Sequence, residues 1–297
     1  FIQNRHASPE AAFQDTIQVT MARHHFRARP WTEKVLKELD LERSFRIYQD
    51  RFADASDFTF IFVGHFDPEA IKPLVLTYLG SLPALRRHET WRDVGIRPPK
   101  GVVTKEVHKG LEPKSEVSLI FTGPFAWNRQ NRYNLNAMTT VLRIKLREIL
   151  REELSGTYGV GVWSSASRYP DQEYSVHIAF GCAPDRVEEL TRMVFKEIDS
   201  LKTFGTTEKY LQKVKETQRR ERETALKENG FWLRSLRSVY FHRADPMNIL
   251  NYDTLIDNLT LEDIQTAARR YLNTENYVRV VLYPRAQEEN SGQEKKP

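Results

Sequence analysis

The stretch Leu39–Val63, LDLERSFRIYQDRFADASDFTFIFV, shares its pattern with Leu259–Tyr283, LTLEDIQTAARRYLNTENYVRVVLY, which lies 220 residues further along the chain. In the first copy, Asp40 is the expected N-cap of a helix over Leu41–Phe52. The run Phe58–Val63 is rich in aromatic and β-branched residues, which predicts a buried strand. Helix, turn and strand match between the copies without a gap, so the pattern predicts an internal duplication.

The duplication predicts how the chain is divided. One repeat unit of roughly 200 residues, within the ordinary range of domain sizes, is expected to be complete at residues 101–285. Residues 1–84 are expected to be the C-terminal part of an earlier unit whose first part is missing. Residues 85–100 contain prolines and show no sustained periodicity, which is typical of a linker. Residues 286–297 are polar and charged, and we expect them to form a disordered tail.

Helices and strands alternate in the predicted complete unit. Apolar residues at three- and four-residue steps predict helices, and β-branched or alternating runs predict strands. The expected strands are Val102–His108, Glu116–Thr122, Tyr158–Ser165, Glu173–Ala183 and Tyr277–Tyr283. The expected helices are Arg132–Leu154, a helix capped by Asp185 that reaches Phe204, and a helix from Thr207 to Asn229; earlier in the chain they are Pro9–His24 and a helix from Pro68 to Leu79.

Composition and charge argue against two classes of protein. The chain has 45 basic and 40 acidic residues and a sequence pI of about 9.1, which raises the question of nucleic-acid binding. Its most basic stretch, Lys209–Lys227, interleaves lysines and arginines with glutamates at helical spacing, as a solvated helix face does. No run approaches the roughly 18 apolar residues that a membrane helix needs. We therefore expect neither nucleic-acid binding nor a membrane span.

The sequence also lacks the patterns of a catalytic centre. None of its eight histidines has a partner at the His-x-x-x-His or His-x-x-Glu-His spacing that puts two zinc ligands on one helix face. It contains no Gly-x-Ser-x-Gly nucleophile motif. The single cysteine, Cys182, is expected to be a buried thiol, and His177 a packed or hydrogen-bonded strand residue. The sequence therefore predicts no metal site and no catalytic residue.

One segment has a pattern suited to binding. In Leu146–Val160, LREILREELSGTYGV, Arg151 stands in the last turn of the long predicted helix, and Tyr158 opens a strand after a turn at Gly156. Arginine presents a fork of donors and tyrosine one hydroxyl, so together they suit a carbonyl or carboxylate oxygen. Two structural alternatives stay open: Arg151 pairs with Glu148 one turn earlier, and Tyr158 is only a strand aromatic.

This segment resembles the inactive C-terminal domains of the insulinase/pitrilysin (inverzincin) peptidase family. In those domains a helix ending in Arg–Glu or Lys–Glu is followed by a glycine and by a tyrosine seven residues after the arginine, and Arg151 and Tyr158 match that spacing. The resemblance extends over nearly all of the chain apart from the tail. It includes Arg51–Ala70, Tyr78–Pro83, Asn229–Trp232 and Asn276–Pro284.

The resemblance implies a fold and a function. The implied fold is α/β (α+β): two-layer units with a mainly antiparallel sheet covered on one face by helices. One half of such a peptidase carries the inverted zinc motif His-x-x-Glu-His. The other half binds no zinc and contributes an arginine and a tyrosine that contact the substrate backbone in a closed chamber. Because the zinc motif is missing here, the chain is expected to belong to the second half, with Arg151 and Tyr158 as the substrate-binding pair.

The resemblance also implies partners. They are a zinc-bearing catalytic half, on the same polypeptide or on a partner subunit, and a peptide substrate; no cofactor is expected in this chain itself. A bacterial periplasmic or envelope location is implied as well. The alternative is a structural or assembly subunit of the same fold that has no role in peptide binding.

Overall fold

The computed structural model describes residues 2–5, 7–153 and 159–285, with side chains described except at 151–153. The described residues form two compact units. The sheet unit comprises the described residues of 1–32, 94–214 and 259–297, and the helical unit comprises residues 33–93 and 215–258. These units are defined by which residues pack together, whereas the predicted boundaries came from the sequence repeat. The boundaries 1–84, 85–100 and 101–285 therefore stay a prediction.

The α-helices of the described residues have the following bounds. They are α1 (Ile2–Arg5), α2 (Pro9–Met21), α3 (Glu33–Leu36), α4 (Leu41–Phe52), α5 (Pro68–Tyr78), α6 (Arg129–Arg147), α7 (Val187–Phe204), α8 (Glu208–Ala225), α9 (Asn229–His242), α10 (Met247–Leu250), α11 (Asp253–Asn258) and α12 (Leu261–Tyr271). Short 3-10 turns lie at Phe26–Ala28 and Pro184–Arg186, and a π-helical turn lies at Glu148–Glu153.

A five-stranded sheet forms the centre of the sheet unit. Its strands are β1 (Val102–His108), β2 (Ser115–Pro124), β3 (Gly159–Ser167), β4 (Glu173–Cys182) and β5 (Tyr277–Tyr283). They lie in the order β1-β5-β2-β4-β3, so β5 is an inner strand although it comes last in the chain. The β1–β5 pair is parallel and the other three pairs are antiparallel. The mainly antiparallel sheet that the resemblance implied is confirmed.

Helices cover both faces of this sheet, although to different extents. On one face α6, α7 and α12 pack together, and Phe121 of β2 meets Phe195 of α7 edge-on at 6.3 Å between ring centroids. Because side chains alternate along a strand, Ile120 faces the opposite side. There it forms a buried cluster with Phe13 of α2 and Val278 of β5. The helices that follow residue 101 thus lie on one face, as the resemblance implied, and α2 from the earlier segment covers part of the other face.

One predicted helix start agrees with the structure, and two other predicted helix ends differ from it. Asp40 caps α4 as expected, since its carboxylate accepts a hydrogen bond from the Arg43 amide at 2.9 Å. Asp185 does not cap α7: it lies in the preceding 3-10 turn, and α7 begins at Val187. The long helix predicted to end at Leu154 instead leaves α-helical geometry after Arg147 and continues as the π-helical turn.

The prediction of a strand at Phe58–Val63 is wrong for this chain, which forms no strand there. A strand needs a hydrogen-bonded neighbouring strand, and the described residues of the helical unit contain no strand that could pair with this segment.

Asp54 is the one buried residue within 33–93. Burial acts to raise the pKa of Asp54, but hydrogen bonds from the amides of Arg87, Ser56 and Leu85 outweigh it and hold that pKa well below its ordinary value.

Candidate functional site

The segment with the predicted arginine and tyrosine lies after α6. The backbone of Arg151 belongs to the π-helical turn Glu148–Glu153, while its side chain and Tyr158 lie outside the described residues. Whether the two side chains meet therefore stays a prediction. A π-helical turn at the end of an α-helix inserts extra backbone, and such turns are frequent at functional sites.

Glu148, the alternative partner of Arg151, has partners of its own. One of its carboxylate oxygens accepts a hydrogen bond from the Tyr210 hydroxyl at 2.5 Å, and the other from Lys213 Nζ at 3.2 Å. The hydrogen bond from Tyr210 is the main cause that lowers the pKa of Glu148. The Glu148 carboxylate is thus held by two partners from α8, and the choice between the two readings of Arg151 stays open.

A groove lies on the sheet face that α6, α7 and α12 leave open. Its volume is about 600 Å³, and Phe13 and Ile17 of α2 line one side of it. Strands β2, β4 and β3 contribute the rest of the lining. Strand β3 begins at Gly159, the residue directly after Tyr158 in the sequence, and Gly159 itself lines the groove. The predicted binding segment therefore leads directly into the first residue of this surface, which we call the sheet-face groove.

The floor of the sheet-face groove consists of very small residues. The register of β3 and β4 places Gly159 opposite Gly181 and Gly161 opposite Ala179. Gly159, Ala179 and Gly181 line the groove, whereas Gly161 lies on the same face beneath the Trp163 ring, so no side chain larger than a methyl group rises from the Gly159–Gly181 end of this floor. Such a floor lets another backbone approach the sheet closely.

An aromatic pair closes one end of this floor. Trp163 lies directly opposite His177 in the register, and their rings stack with centroids 5.1 Å apart and planes 10° apart. The indole leans back over Gly161, where an added Cβ would lie 3.1 Å from the ring. Half of the Trp163 surface is exposed to solvent. Gly161 thus provides the space that the indole occupies, and the exposed ring is available to an apolar group.

The imidazole beneath Trp163 is held by a polar chain. His177 Nε2 lies 3.0 Å from Ser175 Oγ, which lies 2.9 Å from Ser165 Oγ on the neighbouring strand. Burial lowers the pKa of His177. The expectation that His177 is packed and hydrogen-bonded is confirmed. The sequence analysis did not identify Trp163 as a surface-binding residue. A signal was present, because Gly159, Gly161 and Trp163 stand two residues apart and so lie on one face of the predicted strand.

The described residues do not fit a zinc site. Within 2–5, 7–150 and 159–285, where side chains are described, no three His, Cys, Asp or Glu side chains lie close enough to hold a metal ion together. Cys182 is buried, and burial raises the pKa of its thiol to about 11, which keeps it protonated and unreactive.

Among the described helices, none combines the length and the apolar character required to cross a membrane.

Residues 42–218, more than half of the chain, match the family model described as "Peptidase M16 inactive domain". The chain belongs to the peptidase M16 inactive-domain family. The probable zinc protease PqqL of Haemophilus influenzae is 28% identical over 249 residues, covering 82% of this chain and 26% of the relative. The zinc protease PQQL-like of Arabidopsis thaliana is 23% identical over 248 residues, covering 78% and 26%.

Solved structures share the fold of this M16 inactive domain. The periplasmic protease PqqL from Escherichia coli superposes with a TM-score of 0.81 at 21% identity, covering 96% of this chain and 32% of that protein. An identity this low supports the fold alone. The chain spans about a quarter of the length of the two curated relatives and a third of the solved one.

Proposed function

We propose that this M16 inactive domain is the non-catalytic, substrate-binding half of a zinc metallopeptidase that degrades or processes peptides in a closed chamber. Two observations support the proposal: the family is described as inactive, and the curated relatives are named zinc proteases. Since the described residues do not fit a zinc ion, the catalytic half with its zinc is a separate part of the same polypeptide or a partner subunit.

In this proposal the sheet-face groove receives an extended peptide. The Gly159–Gly181 pair accepts the peptide backbone, and the exposed face of Trp163 packs against an apolar or aromatic side chain of the peptide. His177 is half-buried and its pKa is lowered, which favours the uncharged imidazole on this surface. The small-residue pair Gly159–Gly181 and the exposed Trp163 indole, on the strand that follows Tyr158 in the sequence, are the observation that carries the proposal.

Arg151 and Tyr158 are proposed to hold the peptide at the end of the groove nearest Gly159. Each would donate to a substrate carbonyl oxygen when the two halves close. A hydrogen bond to a neutral carbonyl contributes about 0.5–1.5 kcal/mol, and one from a charged donor about 1.5–3 kcal/mol. Neither side chain performs a chemical step; both position the peptide for the zinc-bearing half.

The proposed setting is a bacterial periplasm or envelope. The E. coli structure with the same fold is described as a periplasmic protease, and this supports a similar compartment here. The second candidate function is an assembly subunit of the same fold that contacts other proteins and binds no peptide. The large exposed apolar surface of the helical unit is the observation that favours this second candidate.

Peptide binding to this chain tests the proposal. A fluorescein-labelled, unstructured decapeptide containing aromatic and leucine residues is titrated with the chain and followed by fluorescence anisotropy. We expect saturable binding that Trp163→Ala weakens roughly three- to thirtyfold. Trp91→Ala, which removes an exposed tryptophan of the helical unit, is the matched control and should leave the affinity unchanged. Absence of saturable binding, or equal effects of both substitutions, contradicts peptide binding in the groove and favours the assembly subunit.

A further inference from the structure

The segment that follows α2 carries positive side chains and no negative ones. No aspartate or glutamate occurs from Thr16 to Thr32, and three arginines stand between residues 23 and 29. Phe26 and Trp31 in the same segment are 67 and 51% exposed to solvent. We call Arg23–Trp31 the basic corner. Concentrated charge of one sign beside exposed aromatic rings favours an anionic partner that also has apolar parts.

The backbone of the basic corner is strained and tied to α2. Arg23 and His24 have φ angles of 51° and 58°, in the left-handed region that residues other than glycine rarely adopt. The His24 amide donates to the Val19 carbonyl at 2.9 Å. Further along, Gln18 Nε2 donates to the Ala28 carbonyl at 2.9 Å, which holds the corner against the helix. Strained backbone that the surrounding structure holds in place is concentrated at functional sites.

The arginines of the basic corner are available to a partner. Arg23 and Arg27 are exposed, and their side chains form neither an ion pair nor a hydrogen bond within the part of the chain that the structure describes. The guanidinium of Arg29 lies over the Phe26 ring, 3.9 Å from its centroid, which holds this third cation against the corner. Guanidinium groups bind carboxylates strongly, through two parallel hydrogen bonds. The corner is therefore suited to acidic side chains.

Helix α2 determines which end of the sheet-face groove meets the basic corner. The helix begins where β2 begins, because the Glu10 carboxylate lies 3.8 Å from Lys114 Nζ, directly before that strand. The Gly159–Gly181 pair lies at the same end of the sheet, beside the start of β2. The other end of the groove, at Trp163, therefore lies toward the end of α2, where the corner begins.

The basic corner also adjoins the α2 wall of the groove. Ile17 lines the groove, and the next residue, Gln18, donates the hydrogen bond that holds Ala28 of the corner. An extended peptide that packs against Trp163 and continues past the end of α2 therefore reaches the corner.

We propose that the sheet-face groove selects peptides with acidic residues beyond the residue that packs on Trp163, and that Arg23 and Arg27 bind those carboxylates. The inference rests on the proposed function, since it names the class of peptide that the groove takes. Lys114, at the opposite end, already pairs with Glu112 at 2.9 Å and adds no comparable preference. A nucleic acid fits the corner less well, because its binding commonly uses about six to ten phosphate contacts, more than three arginines supply.

Labelled decapeptides that differ only in charge test the inference. One peptide carries three glutamates on one side of a single tryptophan, and its partner carries three glutamines there; a second pair has the triplet on the other side. By fluorescence anisotropy at about 50 mM salt, we expect the glutamates to tighten binding roughly three- to tenfold in one placement only, and about 0.5 M salt to remove the gain. Equal gains in both placements, or a gain that survives high salt, would overturn the inference.

Two double variants locate the effect. Arg23→Gln with Arg27→Gln should abolish the gain while the glutamine peptide binds as before. Arg192→Gln with Lys196→Gln removes the same charge from exposed positions of α7, on the other face of the sheet, and should keep the gain. A gain that both variants lose, or that both keep, overturns the inference. An unlabelled oligothymidylate that displaces the acidic peptide better than the unlabelled peptide does would identify nucleic acid as the partner and also overturns it.

The same titrations separate this inference from the proposed function. If the glutamate and glutamine peptides bind equally, and Trp163→Ala still weakens both, the preference for acidic residues is wrong and peptide binding in the groove stands. Absence of saturable binding for every peptide contradicts both.

Discussion

Trp163 stacks on His177 across the β3–β4 pair, with ring centroids 5.1 Å apart, and leans over Gly161 in its own strand. The position of the indole in the sheet-face groove thus depends on the absence of a side chain at Gly161.

Gly161→Ala should displace the indole. An added methyl group would lie 3.1 Å from the Trp163 ring, so the ring must shift. We expect the 5-fluorotryptophan ¹⁹F resonance of Trp163 to move and the affinity for the labelled peptide to fall roughly threefold or more. Gly159→Ala is the matched control for the ring position, since its Cβ would meet nothing within 4 Å. An unmoved resonance in Gly161→Ala would show that the indole is not held in this way.

Stability of the sheet unit should depend on the protonation of His177. Burial lowers the pKa of this imidazole below its ordinary value of 6.5, so the unfolded chain binds the proton more readily than the folded chain does. The contribution to stability is therefore complete above about pH 6.5 and is lost as the pH falls from there to the folded-state pKa. Denaturant midpoints at about pH 7.5 and 5.5 should differ less for His177→Gln than for the natural chain. An equal pH dependence in both proteins would contradict this.

Much of the sheet unit could be predicted from its sequence, because local patterns determine it. Alternation and β-branched content predicted the bounds of β1 and β5 correctly, and the helix signals predicted the start of α4 with its Asp40 cap. These features depend on residues within a few positions of one another.

The remaining features depend on distant partners. The Trp163–His177 stack requires the register of two strands, which no local pattern specifies. The error at Phe58–Val63 has the same origin: the residues have strand character, but a strand forms only where a neighbour is present. The π-helical turn after Arg147 takes the place of the continuous helix that was predicted, and the spacing of apolar residues does not distinguish the two kinds of helix.

Asp54→Asn should loosen the 81–89 segment of the helical unit. The Asp54 carboxylate accepts from the amides of Ser56, Leu85 and Arg87, and an amide nitrogen in place of one oxygen would oppose a donor with a donor. We expect hydrogen exchange of 85–87 to become roughly ten- to a hundredfold faster. Asp57→Asn, at an exposed position nearby, should change nothing. Similar exchange in both variants would show that Asp54 does not hold the segment.

The purified chain should contain no tightly bound zinc and should hydrolyse no peptide. The described residues offer no set of ligands, and the sequence has no paired-histidine motif. Elemental analysis after dialysis checks the metal, and a quenched fluorescent peptide checks hydrolysis. About one zinc per chain that survives dialysis would contradict the assignment to a non-catalytic half.

Reconstitution with the zinc-bearing catalytic half tests the central claim most directly. The measured quantity is kcat/KM for a quenched fluorescent peptide, with the natural chain and with the double variant Arg151→Ala, Tyr158→Phe. We expect the natural chain to restore activity, and the double variant to fold normally but lower kcat/KM by roughly ten- to a thousandfold, as the loss of two donors to the substrate backbone requires. Full activity with the double variant, or an unfolded variant, would show that the pair is structural and would contradict the account.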